Sequence, residues 1–103
     1  MYGTIARLHL KPGMEDRFME ALQEYEDLDI PGFIAEHVFR MDDNPNEFYM
    51  IVLFEDRRSY KENAESTEQD RRYRKMRDML TKDPEWHDGE IVFTATMQPE
   101  MLR

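Results

Sequence analysis

The run from Glu47 to Phe54 carries apolar side chains on both faces of a predicted strand. Seven of its eight residues are apolar, and none is Gly or Pro. A strand with one face in water alternates apolar and polar residues, because successive side chains point to opposite faces. This run does not alternate, and it is rich in aromatic and β-branched residues. It is therefore predicted to be a central strand that is covered on both sides.

Three further runs have strand-like alternation. They span residues 3–10, 33–41 and 90–97, and the last of these has Ile91, Phe93, Ala95 and Met97 on one face. The second run is separated from the central strand only by the short loop 42–46, which predicts an antiparallel hairpin. Residues 85–89 are predicted to be a loop, and residues 98–103 a loose tail.

Two stretches have helical periodicity. Met14, Phe18, Leu22 and Tyr25 recur at helical spacing, and this helix is predicted to end near Leu28, before a Pro-Gly turn. The second stretch predicts a short helix over 56–65. It is followed by a helix that Ser66 or Thr67 caps and that ends before Pro84.

The order of these elements predicts an α+β fold of the ferredoxin-like βαββαβ type in a single domain, residues 1–103. Right-handed crossovers place both helical segments on one face of a four-stranded antiparallel sheet. The other face stays partly apolar, because the central strand is apolar on both sides. An exposed apolar face of this size favours a homodimer in which a second copy covers the sheet.

The composition excludes several classes of partner and site. Lys and Arg sum to 14 against 23 for Asp and Glu, which gives a net charge of −9. Such a charge repels phosphates, so neither nucleic acid nor an anionic membrane surface is an expected partner. The absence of Cys excludes disulfides and thiolate metal sites. There is no signal-peptide pattern or membrane-spanning run, so a cytoplasmic location is expected.

Three segments together resemble the antibiotic-biosynthesis-monooxygenase domain family: IARLHLKPGMEDRF, IPGFIAEHVFR and EFYMIVLFEDRRSYKENAES. The closing TKDPEWHDGEIV is similar to a subgroup of bacterial members without a characterised reaction. The resemblance implies a dimeric α+β barrel with a pocket between sheet and helices in each subunit. Members include cofactor-independent oxygenases, small-quinol oxygenases and haem-degrading enzymes, so the fold alone does not define the reaction.

The resemblance does not extend to the residues of the haem-degrading branch. That branch has a His ligand in the second helical region and an Asn on the first strand. Here the helical region STEQDRRYRKM contains no His, and the first strand carries Arg7 and His9 instead of Asn. Phe54 stands where a Trp often ends the central strand. The three histidines, the third being His87, have no metal-ligand spacing. With no glycine-rich phosphate loop either, neither a metal nor a cofactor is expected.

The residues leave the function open between an enzyme and a binding protein. A cofactor-independent monooxygenase that acts on a small aromatic or quinol substrate needs a base. His37 is the candidate, because it is a polar residue predicted to share a strand face with Phe33, Ala35 and Phe39. Candidate substrate-binding residues are Arg7, His9, Arg40, Tyr60, Tyr73 and Trp86. The alternative is a non-catalytic dimer that binds a small ligand or has only a structural role, in which these residues belong to the core or to the dimer interface.

Overall fold

The computed structural model describes residues 1–97, which form one four-stranded sheet and three α-helices. The strands are β1 (Tyr2–His9), β2 (Phe33–Arg40), β3 (Glu47–Phe54) and β4 (Glu85–Glu90). The helices are α1 (Glu15–Gln23), α2 (Arg57–Ala64) and α3 (Thr67–Arg77), and α1 continues into a 3₁₀ turn (Glu24–Asp27). The predicted loose tail, residues 98–103, lies outside the described residues.

β3 is an interior strand, as its two apolar faces predict. The strand order is β2-β3-β1-β4, and every neighbouring pair is antiparallel. β3 pairs with β1 along its whole length, from Tyr2 opposite Phe54 to His9 opposite Glu47. The α+β ferredoxin-like prediction is confirmed.

The core lies between the helices and one side of the sheet, the helix face, which carries the even-numbered residues of β1 and β3. Ala6 and Leu8 of β1 are fully buried there. The rings of Phe18 and Phe48 meet edge to face, with their centroids 5.4 Å apart. Side-chain caps fix the starts of the last two helices: Asp56 accepts a hydrogen bond from the Ser59 amide, and Ser66 accepts one from the Gln69 amide.

The opposite side of the sheet, the open face, is not covered by any helix of residues 1–97. It carries the odd-numbered residues of β1 and β3 and the odd-numbered residues of β2 from Ala35 onwards, because side chains alternate along a strand. Ile5 is 48% exposed and Phe39 is 53% exposed. No helix in the described part of the chain is long and apolar enough to cross a membrane.

The prediction for the last strand is wrong. The predicted loop 85–89 lies within β4, whereas residues 91–97 have no regular secondary structure. β4 pairs with β1 from Glu85 opposite Arg7 to Glu90 opposite Tyr2, and the Ile91 amide then donates to the Met1 carbonyl over 3.0 Å. Because β1 begins at Tyr2, it offers no further residues with which residues 91–97 could pair, despite their strand-like composition.

A β-bulge in β2 corrects a second detail. The register shifts between Phe33 and Ala35, so that Phe33 lies opposite Phe54 on the helix face. The rings of Phe33 and Phe54 meet edge to face with centroids 5.8 Å apart. Phe33 was expected to share a face with His37, but the bulge places the two on opposite sides of the sheet.

Candidate ligand cavity

A cavity of about 310 Å³ lies between the helix face and the three helices. The sheet contributes Thr4, Glu36 and Trp86 to its lining, and the helices contribute Tyr60 and Tyr73. Pockets that bind small ligands begin at about this size, and they combine an apolar lining with a few polar groups. The composition of this lining therefore fits a small ligand.

Aromatic rings form one part of the cavity wall. The rings of Tyr73 and Trp86 lie 6.1 Å apart, and the ring of Tyr60 meets Phe54 edge to face at 5.7 Å. The Tyr60 hydroxyl donates a hydrogen bond of 2.9 Å to Asp88. Burial, together with this bond to a carboxylate, raises the pKa of Tyr60 to about 12. Tyr60 is thus a neutral hydrogen-bonding group at physiological pH.

Glu36 is a partly buried carboxyl group on the sheet side of the cavity. It lies on β2 opposite Val52 of β3, and Val52 is in turn opposite Thr4 of β1. Burial disfavours the charged form and raises the pKa of Glu36 to about 7. Both protonation states of this carboxyl group are therefore accessible near neutral pH.

Thr4 is a second polar group on the same sheet row as Glu36. The residue is 4% exposed and lines the cavity. Its hydroxyl lies beside that of Tyr60, but its geometry gives it no hydrogen-bond partner among residues 1–97. A buried hydroxyl without a partner is uncommon, and a ligand is one way to satisfy it.

The α3 side of the cavity carries positive charge. The Arg72 guanidinium donates to Gln69 over 3.0 Å and to Asn63 over 3.4 Å, and it lies 5.4 Å from the centre of the Tyr25 ring. Lys75 pairs with Glu24 at 3.2 Å. These contacts fix Arg72 at the wall, where its charge favours an anionic ligand.

The polar residues of β1 form a separate cluster on the open face. Arg7 donates two hydrogen bonds to Glu47, of 2.5 and 2.8 Å, and His9 lies 3.2 Å from the same carboxylate. The hydrogen bonds from Arg7 lower the pKa of Glu47 below its usual range, and His9 adds a smaller effect in the same direction. The whole thickness of the sheet separates this cluster from the cavity.

Comparison with known proteins agrees with this architecture. A family model described as antibiotic biosynthesis monooxygenase matches residues 1–75 of the 103-residue chain. The chain belongs to this family. Its cavity lies between sheet and helices, where the sequence resemblance implied a pocket. A search of curated proteins finds no match.

Solved structures of the antibiotic biosynthesis monooxygenase type share the fold. One is 19% identical, with a TM-score of 0.73 over 89% of this chain and 99% of the other. SnoaB, a cofactor-independent oxygenase from Streptomyces nogalater, is 15% identical, with a TM-score of 0.76 over 90% and 94%. A conserved protein from Methanosarcina mazei Go1 is 21% identical, with a TM-score of 0.74 over 85% and 89%. At these identities the likeness shows the fold alone.

Three of the candidate residues suggested by the sequence line the cavity together: Tyr60, Tyr73 and Trp86. The other candidates lie elsewhere. His37 is exposed on the open face, as its pairing opposite Ile51 indicates, so the cavity is not built around it. Arg40 lies at the end of β2, where it forms an ion pair with Glu15.

Glu36, like Thr4 and Arg72, lines the cavity but is not among the candidates that the sequence suggested. Its position in the sequence could have indicated this role. Glu36 precedes His37 on β2 and therefore points to the opposite face, which it shares with Val38, an apolar residue that packs against the core. A carboxyl group on the core-facing side of a strand is uncommon and often functional. Within residues 1–97, no group of three His, Cys, Asp or Glu side chains has a geometry that could hold a metal ion.

Proposed function

We propose that this protein is a cofactor-independent monooxygenase-like enzyme that acts on a small aromatic or quinol substrate in the cavity. The observation that carries the proposal is the lining, in which aromatic rings stand beside one carboxyl group of raised pKa. SnoaB, which shares the fold, is described as a cofactor-independent oxygenase.

The proposed reaction needs no external reductant, because the quinol supplies the electrons. The quinol loses protons, and its anion transfers electrons to O₂. One oxygen atom enters the ring and the other leaves as water, so that quinol and O₂ give a hydroxyquinone and water. The quinol is oxidised by four electrons and O₂ is reduced by four. An apolar cavity assists by excluding bulk water and strengthening the interactions that hold the anion.

Oxygen consumption with 1,4-dihydroxynaphthalene tests the proposal. We expect O₂ uptake above the spontaneous rate, with one O₂ consumed per quinol, and formation of the hydroxyquinone. Ala64→Trp places a large ring in the cavity wall and should lower this rate by about tenfold or more, since it displaces the substrate. Glu62→Gln, a change at an exposed residue on α2, is the control.

Two results would contradict the proposal. One is O₂ uptake no faster than with heat-denatured protein while the quinol binds, which would favour the alternative of a non-catalytic ligand-binding protein. The other is an unchanged rate in Ala64→Trp, provided that this variant is folded, since turnover would then not occur in the cavity.

A homodimer through the open face is a further part of the proposal. Ile5 and Phe39 expose about half of their surface there, although both belong to regular strands. Residues 91–97 continue from β4 with their own exposed apolar side chains: Val92 is 88% exposed and Phe93 is 82% exposed. Exposed apolar side chains of this kind are typical of an interface, and in the proposed dimer a second copy covers the open face with its own.

A substitution that introduces a charged side chain on the open face tests the dimer. We expect Phe39→Glu to shift the protein from dimer to monomer in native mass spectrometry, because a dimer would bury two carboxylates in an apolar interface. Leu28→Glu is the matched control, since Leu28 is also exposed but lies outside the sheet. A wild-type protein that is monomeric at micromolar concentration would rule out this interface.

A further inference from the structure

We propose that the Glu36 carboxylate is the proton acceptor of the cavity and that the ligand presents an aromatic hydroxyl group to it. The inference deepens the proposed function, on which it rests for turnover, by assigning the base and the end of the ligand that the base contacts. Binding of an aromatic hydroxyl can be tested without turnover.

Glu36 differs from the other carboxyl groups of the cavity in having no partner. Three carboxyl groups line the cavity. Glu24 pairs with Lys75 at 3.2 Å, and Asp70 pairs with Arg74 at 3.0 Å. Within residues 1–97, Glu36 makes no hydrogen bond or ion pair, although it is the least exposed of these three carboxyl groups. A carboxyl group that is partly withdrawn from water and has no donor is incompletely compensated, and a ligand hydroxyl would supply such a donor.

The charged and titratable groups around the cavity are compatible with this role. The 3₁₀ turn contributes Glu24 and Tyr25, and α2 contributes Tyr60. Helix α3 contributes Asp70, Arg72, Tyr73 and Lys75. Glu24 and Asp70 are neutralised by their ion pairs, which leaves Arg72 as the cation that favours a bound phenolate. Burial of Glu36 raises its pKa to about 7, and a base is most effective when its pKa is near the working pH.

The proton step involves no change in oxidation state. The O–H bond of the ligand breaks, the proton moves to a carboxylate oxygen of Glu36, and the electron pair stays on the ligand oxygen. Thr4 lies two strands from Glu36 on the same sheet row, which corresponds to roughly 10 Å between backbones. The Val52 side chain stands between the two in this row, so a ring that lies over Val52 would lie between the ends of the Thr4 and Glu36 side chains. Thr4 could then bond a second polar group, so an aromatic diol fits best.

Binding of 1-naphthol and of its methyl ether, 1-methoxynaphthalene, tests the assignment. As the pH rises through about 7, we expect the affinity for 1-naphthol to increase on the order of tenfold, since ionised Glu36 accepts its hydroxyl proton in a charge-assisted bond. The ether has no proton to donate, and its binding would remove water from the ionised carboxylate without replacing the lost hydrogen bonds. The affinity for the ether should therefore fall over the same pH range. In Glu36→Gln both affinities should be independent of pH, whereas Glu62→Gln should behave as the wild type.

Turnover separates this inference from the proposed function. With 1,4-dihydroxynaphthalene, we expect Glu36→Gln to lower kcat by about 100-fold or more. If 1-naphthol shows the expected pH dependence but no variant consumes O₂, the Glu36 assignment holds and the oxygenase proposal fails. If Glu36→Gln keeps the wild-type kcat, or if the pH dependence of 1-naphthol binding persists in that variant, the Glu36 assignment is wrong. Circular dichroism of the variant establishes that it is folded.

Discussion

Replacement of Glu36 by Gln is expected to stabilise the fold above neutral pH and to leave its stability nearly unchanged in mild acid. The pKa of Glu36 is about 7 in the folded state, compared with 4.5 for an ordinary Glu. The folded state therefore holds this proton more tightly than the unfolded state does. The contribution of Glu36 to stability is complete below about pH 4.5 and is lost as the pH rises through about 7. Gln carries no charge and avoids this loss.

The free energy of unfolding, measured in urea at several pH values, tests this prediction. We expect Glu36→Gln to exceed the wild type by about 2–3 kcal/mol at about pH 8 and by little at about pH 4.5. Glu62→Gln is the control, because its carboxyl group is exposed and pairs only with Arg58. Protein concentration must be the same throughout, since association also changes apparent stability. A difference that does not vary with pH would show that the pKa of Glu36 is not raised.

The interior position of β3 was predictable because it is reflected in the composition of the strand itself. Apolar side chains on both faces are typical of an interior strand, and the run from Glu47 to Phe54 has them. In the structure the even-numbered side chains pack against the helices, whereas the odd-numbered ones lie on the open face. The cap at Ser66 was predictable for a similar reason, since it depends on residues only three positions apart. Such local signals, together with the order of the elements, are sufficient for the ferredoxin-like topology.

The end of the sheet was not predictable from composition. Residues 91–97 have a higher strand propensity than β4, whose sequence EWHDGE is exposed along its whole length. A strand forms where its backbone has a neighbour to bond, and β1 provides that neighbour only for Glu85 to Glu90. Register is a relation between distant segments, so it cannot be inferred from either segment alone.

To predict the site, one must know which face of β2 the helices cover. His37 and Glu36 are adjacent, so their side chains point to opposite faces, and choosing one as the base is equivalent to choosing a face. The aromatic neighbours Phe33 and Phe39 suggested that the face of His37 was the pocket. In the structure the bulge removes Phe33 from that face, and Phe39 is 53% exposed. Tyr60, Tyr73 and Trp86 line the cavity, and their role in binding a substrate stays a prediction.

Phe18→Ala is expected to cause the largest loss of stability of any substitution considered, about 3–5 kcal/mol. Phe18 is fully buried, and its ring meets Phe48 edge to face at 5.4 Å. Removing the ring eliminates its transfer free energy and leaves a cavity between α1 and β3. Because domains of this size are stable by only about 5–15 kcal/mol, a substantial part of the fold's stability depends on this one side chain.

Phe93→Ala is the matched control for the Phe18 variant, since the substitution is the same but Phe93 is 82% exposed. In urea unfolding at low protein concentration, where monomer predominates, we expect a change within about 0.5 kcal/mol. Equal losses in the two variants under these conditions would show that the core is not centred on Phe18. If the loss in Phe93→Ala grows with protein concentration, as mass action requires for a residue in an interface, residues 91–97 pack against a second copy. The pair of variants thus separates the stability of the subunit from that of the proposed dimer.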